Sequence, residues 1–268
     1  MKPPRFRRLS DGTLQGADAL AWARRLAPPA SQILISVVRS GATPERDVLV
    51  HDGDLRIDGD LIVEQLGARI LIIDGALDIG GVYADSDDPE TIVLVRGQLR
   101  ARGVSTAGNL TVQGDLEAGV VCLGSGNDCG AVVTGNLRCR VFDPEAHHFT
   151  IGGDLIADIV LGDLHYRVSG KGRRPPTTAP DDPRFLELLD PALLRTTHTT
   201  TGLHVEGLKD RRAVFLRVRQ GRPLKSASTK TAAKKTAAKK TTIQKSAIKK
   251  PAAKKPAAKK TAAKKPAA

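Results

Sequence analysis

The sequence predicts an all-β chain wound into a single-stranded β-helix of about six coils, with small helical caps and a disordered basic tail. Three observations carry that prediction. First, six times between residues 48 and 170 an apolar residue, a Gly, a Leu and a small or branched apolar residue fall at alternate positions. The copies are Ile57-Gly59-Leu61-Val63, Ile73-Gly75-Leu77-Ile79, Val95-Gly97-Leu99-Ala101, Val112-Gly114-Leu116-Ala118, Val133-Gly135-Leu137-Cys139 and Ile151-Gly153-Leu155-Ala157. Side chains alternate faces along a strand, so each copy reads as a short strand with one apolar and one polar face. Second, the six glycines lie 16, 22, 17, 21 and 18 residues apart, which suits one turn of a solenoid whose coils touch only their neighbours. Third, the residue after the Leu is Asp78, Arg100, Glu117 and Arg138 in four successive copies. Coils about 4.8 Å apart would set these opposite charges beside one another.

Taken in order, residues 1–47 form an N-terminal cap in this reading. Lys2 to Arg8 is a basic arm. Gly16 to Leu26 places Leu20, Ala23 and Leu26 at helical spacing, with Pro28 and Pro29 ending the helix. Gln32 to Val37 is a short apolar strand, and Trp22 reads as a packing residue. An open solenoid end is an unpaired strand edge, which is why a cap is expected there.

Residues 48–170 are the β-helix. The Leu residues form one inward column, and Ala101, Ala118, Cys139 and Ala157 form a second, smaller one. Weaker copies around Gly53 and Gly108 each precede a strong copy by six residues. In the outward column Ile62 and Ile156 stand in the first and last strong copies, where the reading expects end segments to cover them. Polar turns join the strands: Ala84 to Glu90, Gly124 to Gly130 and Asp143 to His148.

Two of these turns carry residue types that bind metals. Asp85, Asp87, Asp88 and Glu90 lack the Gly spacing and distal Glu of a helix-loop-helix calcium site, and turn chemistry explains them better. Cys122, Cys129, Cys139, His147 and His148 are zinc-type residues, but Cys139 occupies a small-residue core column and the two histidines suit a corner. No metal or cofactor is expected.

Residues 171–224 form a C-terminal helical cap. A Pro-rich joint runs to Pro183; Asp182 as N-cap and Phe185, Leu188 and Leu189 on one face make a short helix. Asp190-Pro191 starts another turn. From Leu208 to Leu224, Asp210 as N-cap, Gly221 and Pro223 favour a helix over the strand-like alternation of Val214, Leu216 and Val218. Together residues 177–224 are expected to lie over the last coil and cover Ile156.

Charge divides the chain at residue 225. Of 42 basic residues 15 lie from Lys225 onward, so residues 1–224 hold 27 bases against 29 acids, a net of −2, while the whole chain stands at +13. Residues 225–268 iterate TAAKK and PAAKK with no acid and no arginine. Such a composition cannot build a core, so the segment is expected to be disordered on its own. Its lysines are Lys225, Lys230, Lys234, Lys235, Lys239, Lys240, Lys245, Lys249, Lys250, Lys254, Lys255, Lys259, Lys260, Lys264 and Lys265. They are the candidate contacts to DNA or another polyanion. The low aromatic content, 3%, fits a narrow aliphatic solenoid better than an enzyme pocket built on stacking. Three cysteines without CxxC spacing, no export signal and no membrane-length apolar run point to a cytoplasmic protein, and the lysine tail to one associated with the nucleoid.

The iterated G-D-L strands, the turn at Asn127-Asp128, His147-His148 ahead of an IGGDL strand and the closing QGRPL resemble bacterial bactofilin-like, polymer-forming β-helix proteins over residues 48–224. The resemblance implies a right-handed β-helix and a cytoskeletal scaffold that assembles end to end as a homo-oligomer or polymer. The tail resembles those of linker histones and histone-like bacterial proteins, which implies DNA binding without sequence preference. The sequence therefore reads as a non-enzymatic scaffold that holds nucleic acid by its tail. A scaffold assembling through the β-helix without nucleic acid is the alternative, and a β-helix enzyme such as an acyltransferase is the third reading.

Overall fold

The computed structural model describes residues 7–8, 48–125, 128–162, 168–200 and 202–225. Their architecture is an all-β parallel solenoid of about six coils, with two short α-helices and a hairpin on its side. One sheet runs β1 (Arg7–Arg8), β2 (Val48–His51), β5 (Ile70–Ile73), β8 (Ile92–Val95), β10 (Asn109–Val112), β12 (Gly130–Val133), β14 (His148–Ile151) and β16 (Val168–Ser169). The other runs β3 (Leu55–Ile57), β6 (Leu77–Ile79), β9 (Leu99–Thr106), β11 (Leu116–Gly124), β13 (Leu137–Asp143) and β15 (Leu155–Val160). In the first two coils the second sheet continues as separate strands, β4 (Leu61–Ile62) and β7 (Val82–Ala84). The expected helix at 16–26, strand at 32–37 and Trp22 lie outside the described residues. Of the N-terminal segment, Arg7–Arg8 pairs antiparallel along the outer edge of β2.

The expected faces are observed. Leu77, Leu99, Leu116 and Leu137 stand in register and are fully buried. Ala101, Ala118, Cys139 and Ala157 share the next inward column. Outside, Asp78 sits beside Arg100, and Glu117 lies between Arg100 and Arg138. Arg100 and Glu117 form an ion pair at 3.1 Å.

The corner between the two sheets explains the G-D-L signature. A Cβ on Gly75, Gly97, Gly114, Gly135 or Gly153 would fall 2.4–2.9 Å from backbone atoms of the coil before, so only glycine lets the coils close to stacking distance. The next residue ties the coils together. Oδ1 of Asp54 accepts from the Ala76 amide (2.7 Å), Asp115 from Asn136 (2.7 Å), Asn136 from Asp154 (2.8 Å) and Asp154 from Arg173 (2.8 Å).

The start of the stack differs from expectation. The first coil contributes Leu55, paired with Leu77, so the weaker copy at Gly53 is the one in register. Leu61 and Ile62 pair with Tyr83 and Ala84 instead. The reason is that the first two coils turn a second corner with the same chemistry. There the Gly81 amide donates to the Gly59 carbonyl (2.9 Å), and Asp60 accepts from the Val82 amide (3.0 Å). A Gly-Asp pair thus marks a corner, and these coils have two. Ile62 is half-buried in a lateral apolar cluster rather than in the charged column, whose first-coil member is Arg56.

That lateral cluster is the second departure. Four or five residues after each Leu, the solenoid turns an apolar residue outward, giving Val82, Val121, Val141 and Ile159. The C-terminal segment packs along this side. It comprises α1 (Arg184–Leu188), a 3-10 turn (Pro191–Leu193), the hairpin β17 (Leu194–Thr199) and β18 (Gly202–Leu208), and α2 (Arg211–Arg219). Phe185, Leu189, Leu193, Leu208, Val214 and Val218 bury against the solenoid there. Ile156, expected beneath this segment, is instead 41% exposed, because the cover lies beside the stack and not over that face of the last coil. α2 starts as expected, with Asp210 as N-cap accepting from the Ala213 amide (2.9 Å), whereas α1 starts one residue later than expected, with Pro183 as N-cap and Asp182 before it accepting from the Arg184 amide (2.9 Å). The hairpin was not expected. β17 is exposed and polar after Leu194, so it carries no hydrophobic alternation.

Helix α2 is fastened at both ends. Arg211 pairs with Asp143 (3.2 Å) and Glu145, and Arg219 reaches Asp60 (2.7 Å). Between them Val218 sits over Gly103, which stands in register with Val82 and Val121. A Cβ on Gly103 would lie 2.8 Å from Cγ1 of Val218. The missing side chain is therefore the seat of the helix. Gly103→Val is expected to cost about 1–3 kcal/mol by overpacking. Adding Val218→Ala should return part of that loss in chemical denaturation, and failure of the second change to help would mean that the helix does not rest on this point.

At the far end, Leu155 donates to the Arg173 carbonyl and Thr178 to the Val160 carbonyl (2.9 Å each). Between those bonds Pro175 and Pro176 offer no amide, which blunts the outer edge of β15. The Arg174 guanidinium donates to the carbonyls of Ile151, Gly153, Ser169 and Arg173 at 2.6–3.1 Å, satisfying acceptors that the last coil would leave open.

Candidate polyanion-binding surface

The metal-type residues are used by the fold. Asp85 accepts from the Tyr83 hydroxyl (2.7 Å), the Thr106 hydroxyl (2.9 Å) and the amides of Ala107 (2.6 Å) and Gly108 (2.8 Å). Burial pushes its carboxyl above the usual range while these four donors pull it down. Its lone pairs are spent on one corner. Cys122 is fully buried, and burial pushes its thiol up to about 12. Cys129 is half-buried beside Glu90 and Asn109, its thiol up at about 11 mainly through desolvation, then through the Glu90 charge. His147 is buried, donates from Nδ1 to the Ser125 carbonyl (3.1 Å) and is lowered chiefly by burial. His148 is exposed and bonds Ser169 (3.3 Å). Among the described residues no group of three or more His, Cys, Asp or Glu is placed to hold a metal ion. Nor is any helix among them long and apolar enough to cross a membrane.

Of the candidate lysines, Lys225 is described, and the other fourteen, Lys230 to Lys265, lie outside the described residues. Lys225 ends the segment that packs on the solenoid and is half-buried. It lines a cleft of about 490 Å³ between α2, α1 and the solenoid side, floored by Val141, Val218 and Leu224. The basic groups there are Arg102, Arg140, Arg222 and Lys225, with Glu187 as the single acid of the lining.

Local structure explains their convergence. Arg102 precedes Gly103 and Arg140 precedes Val141, two members of the column that meets the cover, so both arginines emerge at its margin. Arg222 follows the turn at Gly221, whose φ of +67° favours a residue free of Cβ strain. Arg140 is paired with Asp158 at 3.3 Å, and Arg102 donates to the Gly80 carbonyl at 3.0 Å. Among the described residues Arg102, Arg222 and Lys225 have no ion-pair partner. Sequence reasoning missed this group. Arg102 and Arg222 are distant in the chain, and only the lateral docking of α2 joins them. No family model matches the chain, and no curated protein or solved structure matches it.

Proposed function

We propose that this is a non-enzymatic, bactofilin-like β-helical scaffold protein of the bacterial cytoplasm that binds DNA, without sequence preference, through its lysine tail. The observation that supports the reading is the charge division: 15 lysines and no acid follow a body of net charge −2. Lysine on phosphate reads no base edge, so the contact positions DNA without selecting it. The solenoid supplies rigidity and the tail supplies grip. A scaffold that polymerises end to end without nucleic acid is less favoured, because β1 covers the edge of β2, and Pro175, Pro176 and Arg174 close the far end.

The test compares full-length protein with residues 1–224 on duplex DNA at about 50 mM salt, a range where such contacts hold. The full chain is expected to bind and the truncated body to lose nearly all affinity. Equal binding by both would reject the tail, and filaments formed by the intact protein without DNA would move the polymer scaffold ahead.

A further inference from the structure

We infer that the cleft at the root of the tail is itself a phosphate site, which receives the backbone of the DNA strand that the tail holds. The inference rests on the tail reading and adds a fixed anchor to it. Three arginines and a lysine converge on a cleft whose lining contains one acid, and Arg102, Arg222 and Lys225 have no ion-pair partner among the described residues. Arg140 is paired with Asp158 and Glu187 is the one acid of the lining, so the remaining basic groups repel one another, and an incoming anion lowers that repulsion. Guanidinium groups suit a phosphate in particular, since their planar forks donate to two oxygens at once.

The cleft has the size for this role. At about 490 Å³ it lies within the roughly 300–1,000 Å³ of sites that enclose small organic groups, enough for a phosphate with its sugar. Its apolar floor of Val141, Val218 and Leu224 would lie against the sugar and leave the arginines to the phosphate. Continuity with the tail selects the occupant. Lys225 belongs both to the cleft and to the lysine series, whose next member in the sequence is Lys230. A strand bound by the first tail lysines is thus delivered to the cleft.

The experiment uses the full chain with a duplex of about 20 base pairs at about 50 mM salt, where phosphate contacts persist. Arginines are modified with phenylglyoxal with and without DNA, and each site is read by mass spectrometry. Arg102 and Arg222 are expected to be protected several-fold in the complex, while Arg69, exposed at the entry to β5 in the other sheet, stays reactive. In parallel, full-length Arg102→Ala/Arg222→Ala should lower the log-log salt slope by about 1.8, two counterions' worth, at about 0.9 each. A control pair, Lys259→Ala/Lys264→Ala, lowers the slope without changing the protection of Arg102 and Arg222. Binding with Arg102 and Arg222 as reactive as in the free protein would overturn the cleft and leave the tail intact. No binding by the wild-type chain would overturn both.

Discussion

Full-length protein is expected to lose about 10³- to 10⁵-fold in affinity for duplex DNA between about 50 and 200 mM salt. Each lysine that neutralises a phosphate releases a condensed counterion, and the log-log slope is about −0.9 per contact. The tail offers 15 lysines, and on the order of 6 to 10 in contact at once produces the stated loss. Random-sequence and defined-sequence duplexes should give the same slope, since no base edge is read. A titration that is flat in salt would show that the tail does not act by counterion release. The body cannot substitute for the tail through its overall field, because a net charge of −2 provides no long-range attraction to a polyanion.

The second large effect is in the core. Leu116→Ala is expected to destabilise the protein by about 2–5 kcal/mol. Leu116 has no exposure, and its neighbours in the column, Leu99 and Leu137, are held by the strands on either side. A solenoid coil touches only the coil above and below, so this cavity weakens two interfaces together. The residues one step along the strand provide the contrast. Glu117→Ala and Arg100→Ala each remove a half-exposed ion pair, and each is expected to cost less than about 1 kcal/mol. Urea denaturation of the three variants decides the matter. Equal losses at all three positions would mean that the inward and outward faces are misassigned.

The coil faces were legible in the sequence because a strand's alternation is local: Leu99 and Arg100 declare opposite faces whatever lies beyond them. The first coil was misread because Gly59-Asp60 and Gly53-Asp54 are both true corners, and a corner's signature does not say which corner it is. The lateral cover was hidden for a different reason. Its seat on the solenoid is an apolar column interrupted by Gly103, whose meaning appears only once Val218 lies over it. Ile156 misled for the same reason, since an outward apolar residue marks a cover only when its neighbours in the column share it, and Arg138 does not. The tail lysines could be read from composition alone. Arg102 and Arg222 could not, because what unites them is the docking of one helix.

The corner hydrogen bonds also give the later coils a direction. From Asp115 onward every rung has the same form: a side-chain oxygen of one coil receives the amide of the next, so the ladder continues where a coil brings both a donor and a fresh acceptor. Asn136 and Asp154 bring both. Arg173 brings its amide and then, in the position where an oxygen would be offered onward, a guanidinium that turns back to the same Asp154 carboxylate at 2.8–3.0 Å. It draws the Asp154 carboxyl below the usual carboxylate range through that bond. A donor-only side chain at this rung leaves nothing for another coil to hold. The side-chain ladder that begins at Asp115 therefore ends chemically at Arg173, where an arginine stands in place of the Asp or Asn of the corners before it.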